Sequence, residues 1–114
     1  RREGGFHIAS HLMRVRYTER AASELSAILD YVRARSPAGA KSVSQAILRA
    51  TRLVASFPEA GAVTDVPEVR EMSVPRHPYK LYYAIAPDAV WIVHVRDARR
   101  EPWPTGTSGV EDSQ

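Results

Sequence analysis

The spacing of apolar residues changes once along this chain, near residue 68, and that change limits the folds open to it. Before this point the apolar residues recur at steps of three and four, the spacing of one face of an α-helix. After it they recur at steps of two, the spacing of a strand with one covered face. A helical half followed by a strand half predicts an α+β domain, with helices packed on one face of a mostly antiparallel sheet.

Two helices are predicted in the first half. One apolar stripe runs over 21–32 behind Thr18, whose hydroxyl suits a helix N-cap, and this helix is expected to stop near Ser36. A second stripe runs over 40–54, behind a serine cap and a proline in the first turn, and ends before Phe57. Because so short a link joins the two helices, we expect an antiparallel helical hairpin.

Four strands are predicted around this hairpin. A short alternating strand at 13–17 precedes the helices, and strands at 69–74, 79–86 and 90–96 follow a loop over 59–67. Nearly every residue of the last strand is apolar, which predicts a central strand covered on both faces. The expected order is an N-terminal strand, a two-helix antiparallel hairpin and a three-stranded antiparallel meander.

The 114 residues predict a single domain, over 13–104. Residues 1–12 show no periodicity and are expected to be a leader or an added extension outside the fold. Residues 105–114 are polar and contain glycine, so we expect a flexible tail.

Composition excludes several classes of site. The chain has no cysteine, which excludes disulfides, thiolate metal sites and a cysteine nucleophile and suits a reducing cytoplasm. No apolar run reaches the roughly 18 residues that a membrane span requires. No His or carboxylate pair has metal-ligand spacing and no glycine-rich phosphate loop is present, so neither a metal nor a cofactor is predicted.

The basic residues point to an anionic partner. The net charge is +3, and of the 16 Lys and Arg residues only Lys41 and Lys80 are lysines, which leaves 14 arginines. The planar guanidinium group binds carboxylates and phosphates through paired hydrogen bonds. An acidic protein or a nucleic acid is therefore the expected partner; the alternative explanation of the ratio is a genome rich in G and C.

A set of motifs follows in a specific order. The first half has a basic strand beginning at Met13, an "A..ELxxIxDYV" helix and a Phe-Pro-x-x-Gly helix end. The second half has a strand similar to "PYRLxY", an acidic turn, an "IxxV"-like strand and a final arginine-rich segment, at 78–83, 88, 91–95 and 96–102. In order and spacing these motifs resemble the RelE/ParE toxin family, over about 90 of the 114 residues.

This resemblance implies a fold with the same order of elements and a toxin of a type II toxin–antitoxin system, in which such proteins also act in plasmid stabilisation. Members of the family are neutralised by a cognate antitoxin. When free, they act in one of two ways. RelE-like toxins cleave mRNA on the ribosome, and ParE-like toxins bind DNA gyrase and trap it on cleaved DNA. A ParD-like or similar antitoxin, and a toxin dimer or a heterotetramer with that antitoxin, are the partners and assemblies that the resemblance implies.

Cleavage of RNA without a metal requires a base, an acid and cations around the phosphorane. If the chain is a ribosome-dependent RNase, the candidate catalytic residues are Arg76, His94, Arg96 and Arg99. The family's last segment often has His where this chain has Asp97. Without that histidine no good base is evident.

The histidine of the last predicted strand, His94, does not replace the family histidine at position 97. His94 is expected to face the same side of the sheet as Ile92 and to be a packed structural residue. The sequence therefore favours a ParE-like toxin that is not itself an enzyme and that inhibits DNA gyrase. A RelE-like mRNA endonuclease is the alternative.

The antitoxin is expected to lie on the helical hairpin. Small residues on both helices leave shallow grooves in which an apolar helix of the partner can approach closely. The arginines expected to rim this surface and to select acidic residues are Arg33, Arg49 and Arg52. The alternative is that these arginines form an ordinary solvated helix face.

Overall fold

The structure, a computed structural model, describes residues 12–100. The α+β class is confirmed, and the four predicted strands are found with each end displaced by no more than one residue. The elements in chain order are β1 (Arg14–Tyr17), α1 (Glu19–Arg35), α2 (Pro37–Ser56), β2 (Ala62–Val63), β3 (Val69–Ser73), β4 (Tyr79–Ile85) and β5 (Ala89–Asp97).

Both helices begin at the predicted caps. The Thr18 hydroxyl accepts a hydrogen bond from the Ala21 backbone N–H at 3.1 Å, and the Ser36 hydroxyl accepts one from the Gly39 N–H at 2.9 Å. Each bond satisfies a backbone donor that the first turn leaves without a helical partner. Ser36 also closes α1, because its own N–H donates to the Val32 carbonyl.

The helices form the expected antiparallel hairpin. Ser36 is the single residue between them, and Gly39 at the start of α2 lies against Val32 at the end of α1. Further from this connection, Leu25 of α1 lines one surface pocket together with Ile47 of α2. The chain therefore reverses direction at Ser36, and the two helices cover the sheet as one layer.

The sheet has five strands in the order β1-β5-β4-β3-β2. The strands β2 to β5 form an antiparallel meander, whereas β1 pairs with β5 in parallel. A parallel neighbour needs a long crossover connection, which the helical hairpin supplies. The predicted meander of three strands was one strand short: Ala62–Val63, inside the predicted loop, pairs with β3. Two residues are too few to produce a readable alternation.

A β-bulge reverses the facing of one predicted site residue. The pairing of β4 with β5 shifts between Tyr82 and Tyr83, so that Tyr82 pairs with His94 and Tyr83 with Ile92. Val93 is then the extra residue on β5. The prediction that His94 faces the same side as Ile92 was wrong, because this extra residue places them on opposite sides of the sheet.

The core lies between the helices and one face of the sheet. Its largest fully buried side chains include Leu81 and Tyr83 of β4, Ile92 of β5 and Val54 of α2. The last strand is central, as predicted, but the expectation that both its faces are covered was wrong. Trp91 remains partly exposed on the face away from the helices, with the Arg16 guanidinium 5.8 Å from its ring.

The sheet face away from the helices carries two side-chain pairs. Lys80 and Glu71 form an ion pair at 3.2 Å, and the rings of Tyr82 and His94 meet edge to face. Residues 1–11 and 101–114 lie outside the described part of the chain, so the leader, the tail and the limits of the single domain stay predictions.

Candidate functional site

Glu24 of α1 holds the end of β5. Its carboxylate accepts a hydrogen bond from the Val95 backbone N–H at 2.9 Å and another from the Arg96 guanidinium at 2.9 Å. The same carboxylate lies 3.4 Å from Nδ1 of His94. Strand β1 ends at Tyr17, which pairs with Ile92, so β5 has no strand partner on this side beyond that point and Glu24 takes its place.

Asp97 holds the arginines that follow β5. Its carboxylate accepts hydrogen bonds from the backbone N–H of Arg99 at 3.0 Å and from the Arg99 guanidinium at 3.2 Å. Nε of Arg100 lies 3.7 Å from the same carboxylate. The hydrogen bonds from Arg99 hold the pKa of Asp97 below its usual value. The residue that stands in place of a family histidine therefore stays an anion that binds these two cations.

The four candidate catalytic residues are divided among three local environments. Glu24 binds His94 and Arg96, Asp97 binds Arg99, and Arg76 lies in the turn between β3 and β4. Tyrosines of the sheet do not supply the missing base. Burial, followed by the nearby Glu71 carboxylate, raises the pKa of Tyr82 to about 12, so this hydroxyl keeps its proton at neutral pH.

A pocket of about 280 Å³ lies between α1 and the end of β5. Its polar lining is Glu24, Tyr31, Tyr79, Asp97 and Arg100. Neither Glu24 nor Tyr31 was predicted as a site residue. The available signal was the helical spacing: residues 24, 28 and 31 follow at steps of four and three, so they lie on one side of α1.

Tyr31 is enclosed by arginines at the edge of this pocket. The Arg35 guanidinium lies 3.9 Å from the centre of its ring, and the Arg100 guanidinium lies 5.1 Å from it. Arg100 also donates a hydrogen bond to the Tyr31 hydroxyl at 3.2 Å. This hydrogen bond and the positive charge of Arg35 lower the pKa of Tyr31. The other tyrosines, Tyr17, Tyr79, Tyr82 and Tyr83, have pKa values raised by burial.

Tyr31 is therefore expected to ionise first as the pH rises. A titration of the chain followed by tyrosinate absorbance should begin with one tyrosine of the five, and Tyr31→Phe should remove this first phase. Arg100→Ala should move it to higher pH, because the hydrogen bond that favours the tyrosinate is lost. A first phase that survives Tyr31→Phe would contradict this arrangement, provided that circular dichroism shows the fold intact over that range.

The three arginines predicted to bind the antitoxin are separated. Arg33 is at the end of α1 and forms an exposed ion pair with Asp30 at 2.8 Å. Arg49 lies about three turns into α2 and lines a groove that also contains Arg76. Arg52 is exposed on α2 and lines no part of that groove. The structure thus brings Arg49 together with Arg76, a pair that was not predicted from the sequence.

Neither a metal site nor a membrane-spanning helix is found in the part of the chain from 12 to 100. No group of three or more His, Cys, Asp or Glu side chains there is arranged to bind a metal ion. None of the helices there combines the length and the apolar character needed to cross a bilayer.

Comparison with known proteins agrees with the order of elements. Residues 15–102 match the family model of the ParE toxin of the type II toxin–antitoxin system parDE. Toxin RelE2 of Caulobacter vibrioides is 34% identical over 89 residues, which are 78% of this chain and 99% of that protein. A chain in the solved structure of the chromosomal ParDE system of P. aeruginosa has the same fold, with a TM-score of 0.66 at 24% identity. The superposition covers 76% of this chain and 97% of that one. The family match spans most of the chain, and the chain therefore belongs to the ParE family and is a toxin of a type II toxin–antitoxin system.

Proposed function

We propose that this toxin acts by binding DNA gyrase, without catalysing a reaction itself, and that a cognate antitoxin of the ParD type holds it inactive in the cytoplasm. The observation that carries the proposal is that two carboxylates bind arginines of the same chain. Glu24 and Asp97 together bind Arg96, Arg99 and Arg100, three of the cations that would otherwise be available to a phosphorane. A transition state is stabilised by donors aimed at the charge that develops, and here those donors already bind anions of the chain.

The surroundings of His94 and Tyr82 support the same proposal. His94 is packed between Glu24 and the Tyr82 ring, and the Tyr82 hydroxyl has a pKa of about 12. General base catalysis is most effective when the pKa of the base is near the working pH. A binding surface, in contrast, requires no such group and no cofactor.

A RelE-like mRNA endonuclease is the second candidate. One observation favours it: His94 and Arg96 share one carboxylate and lie close together at the end of β5. The relative named Toxin RelE2 is also similar along nearly its whole length. On this alternative a bound RNA phosphate would have to compete with Glu24 for Arg96.

Two assays on the purified toxin distinguish these functions. We expect inhibition of supercoiling by purified gyrase, with accumulation of cleaved DNA, and intact mRNA when equimolar toxin is added to a translating cell-free extract. Rapid mRNA cleavage that is lost in Arg76→Ala or Arg99→Ala, and kept in the exposed control Lys41→Ala, would reverse the order of the two candidates. Gyrase that supercoils normally at a large excess of toxin would overturn the first proposal.

A further inference from the structure

A groove of about 350 Å³ runs between α2 and the turn that joins β3 to β4. Leu53, Met72 and Pro75 form its apolar surface, and Arg49 and Arg76 lie at its borders. Leu53 is 45% exposed, so the groove is open to a partner. We call this surface the α2–turn groove.

The charge of this groove differs from that of the other arginine clusters. Arg33, Arg96 and Arg99 each form an ion pair with a carboxylate of the chain. Neither Arg49 nor Arg76 forms one with any residue in 12–100, and both are exposed. Two guanidinium groups beside an apolar surface are complementary to carboxylates that flank an apolar side chain.

The backbone of Arg76 is a second distinctive feature. Val74 to His77 form a turn closed by a hydrogen bond from the His77 N–H to the Val74 carbonyl at 3.2 Å, with Pro75 at its second position. Arg76 at the third position has a φ of 69°, the left-handed region that a type II turn requires there. Glycine adopts this conformation without the steric cost that a Cβ brings. The turn alone therefore does not explain an arginine at this position.

Outside the groove, the C-cap residue Phe57 adds a second exposed apolar side chain at the end of α2. Phe57, one turn beyond Leu53, is 63% exposed. From Arg49 to Ser56, the last residue of α2, the helix rises about 10 Å, at 1.5 Å per residue. A partner helix of about two turns, with apolar residues at steps of three and four, matches this length.

We propose that the α2–turn groove receives an apolar anchor of the antitoxin, and that Arg49 and Arg76 bind acidic side chains on either side of that anchor. The inference rests on the proposed function only in that the chain has an antitoxin; it does not depend on gyrase being the target. It also replaces the expected rim of the helical hairpin: Arg33 and Arg52 lie outside the groove.

The test compares charge reversals inside and outside the groove. The probe is the purified cognate antitoxin, and the quantities measured are the association rate and Kd at low and high salt. Arg49→Glu and Arg76→Glu should each weaken binding by about tenfold or more and reduce its dependence on salt. Arg33→Glu, Arg52→Glu and the control Lys41→Glu should stay within about twofold of the wild type, since these side chains lie outside the groove and isolated surface charges contribute little.

Arg76→Gly separates binding from folding. It should raise the Tm of the toxin alone, because glycine relieves the left-handed backbone, and at the same time weaken antitoxin binding. A purely structural role of Arg76 would not produce opposite changes in these two measurements.

Each outcome bears on one proposal. Normal binding by Arg49→Glu and Arg76→Glu, or an equal loss in Arg33→Glu and Arg52→Glu, overturns the groove as the docking site while gyrase inhibition stands. A wild type that binds the antitoxin through the groove but leaves gyrase active overturns the gyrase target and keeps the groove. A wild type that binds no antitoxin overturns the groove proposal as well.

Discussion

Glu24→Ala should lower the free energy of unfolding by about 2–4 kcal/mol. The Glu24 side chain is 22% exposed and Arg96 is 15% exposed, so water reaches this carboxylate and its partners only in part. Removing it leaves the Val95 N–H and the Arg96 charge partly buried without the acceptor they now share. The loss of a buried acceptor costs more than the net strength of the hydrogen bonds, because the donors are not fully hydrated again.

Asp30→Ala is the matched control on the same helix. Asp30 and Arg33 form an ion pair at 2.8 Å, with side chains 71% and 55% exposed, and an exposed pair of this kind contributes about 0–0.5 kcal/mol. Urea denaturation of both variants measures the difference. Equal destabilisation by the two substitutions would show that Glu24 does not hold the end of β5. Glu24→Gln should be intermediate, since its carbonyl oxygen can still accept from Val95.

Tyr83→Phe should destabilise the toxin by about 2–3 kcal/mol. The Tyr83 side chain is fully buried, and its hydroxyl donates to the Pro58 carbonyl at 2.7 Å and accepts from the Gly61 N–H at 2.9 Å. Phenylalanine fills the same space but leaves both backbone groups without this partner. The two bonds fasten the segment that follows α2 to the sheet, so the variant should also loosen the end of α2 and its C-cap residue Phe57.

Tyr17→Phe controls for the loss of a hydroxyl. Tyr17 is partly buried, and its hydroxyl makes no hydrogen bond with any of residues 12–100, so a change within about 0.5 kcal/mol is expected. Gly61→Ala tests the same contact from the other side. A Cβ there would lie 2.5 Å from the Tyr83 hydroxyl and 2.7 Å from the Glu71 carbonyl oxygen, and overpacking of this kind costs about 1–3 kcal/mol. Thermal unfolding in which Tyr83→Phe matches Tyr17→Phe would contradict the assigned role of the hydroxyl.

The site residues were predictable only in part. The arginines at the end of β5 stood out because they are dense in sequence, and the absence of a base was already visible at Asp97. Glu24 and Tyr31 were missed, because a single polar residue beside an apolar stripe does not show what it reaches. The pairing of Arg49 with Arg76 was missed because a helix and a turn 27 residues apart in the chain carry them.

The sequence by itself determined the features that depend on a few neighbouring residues. The caps at Thr18 and Ser36 and the limits of both helices follow from contacts three or four residues apart. The three longer strands of the meander follow from alternation and from the turns between them. These interactions are local, so the order of neighbouring residues is enough to predict them.

Only the tertiary structure decided which distant groups meet. The parallel pairing of β1 with β5, and the hydrogen bond from Val95 to Glu24 across 71 residues, depend on how the helical hairpin returns to the sheet. The bulge at Val93 then decided which side of the sheet His94 faces. Packing of the whole core selects these contacts, because one extra residue in a strand reverses the facing of the side chains beyond it. No short stretch of sequence contains that information.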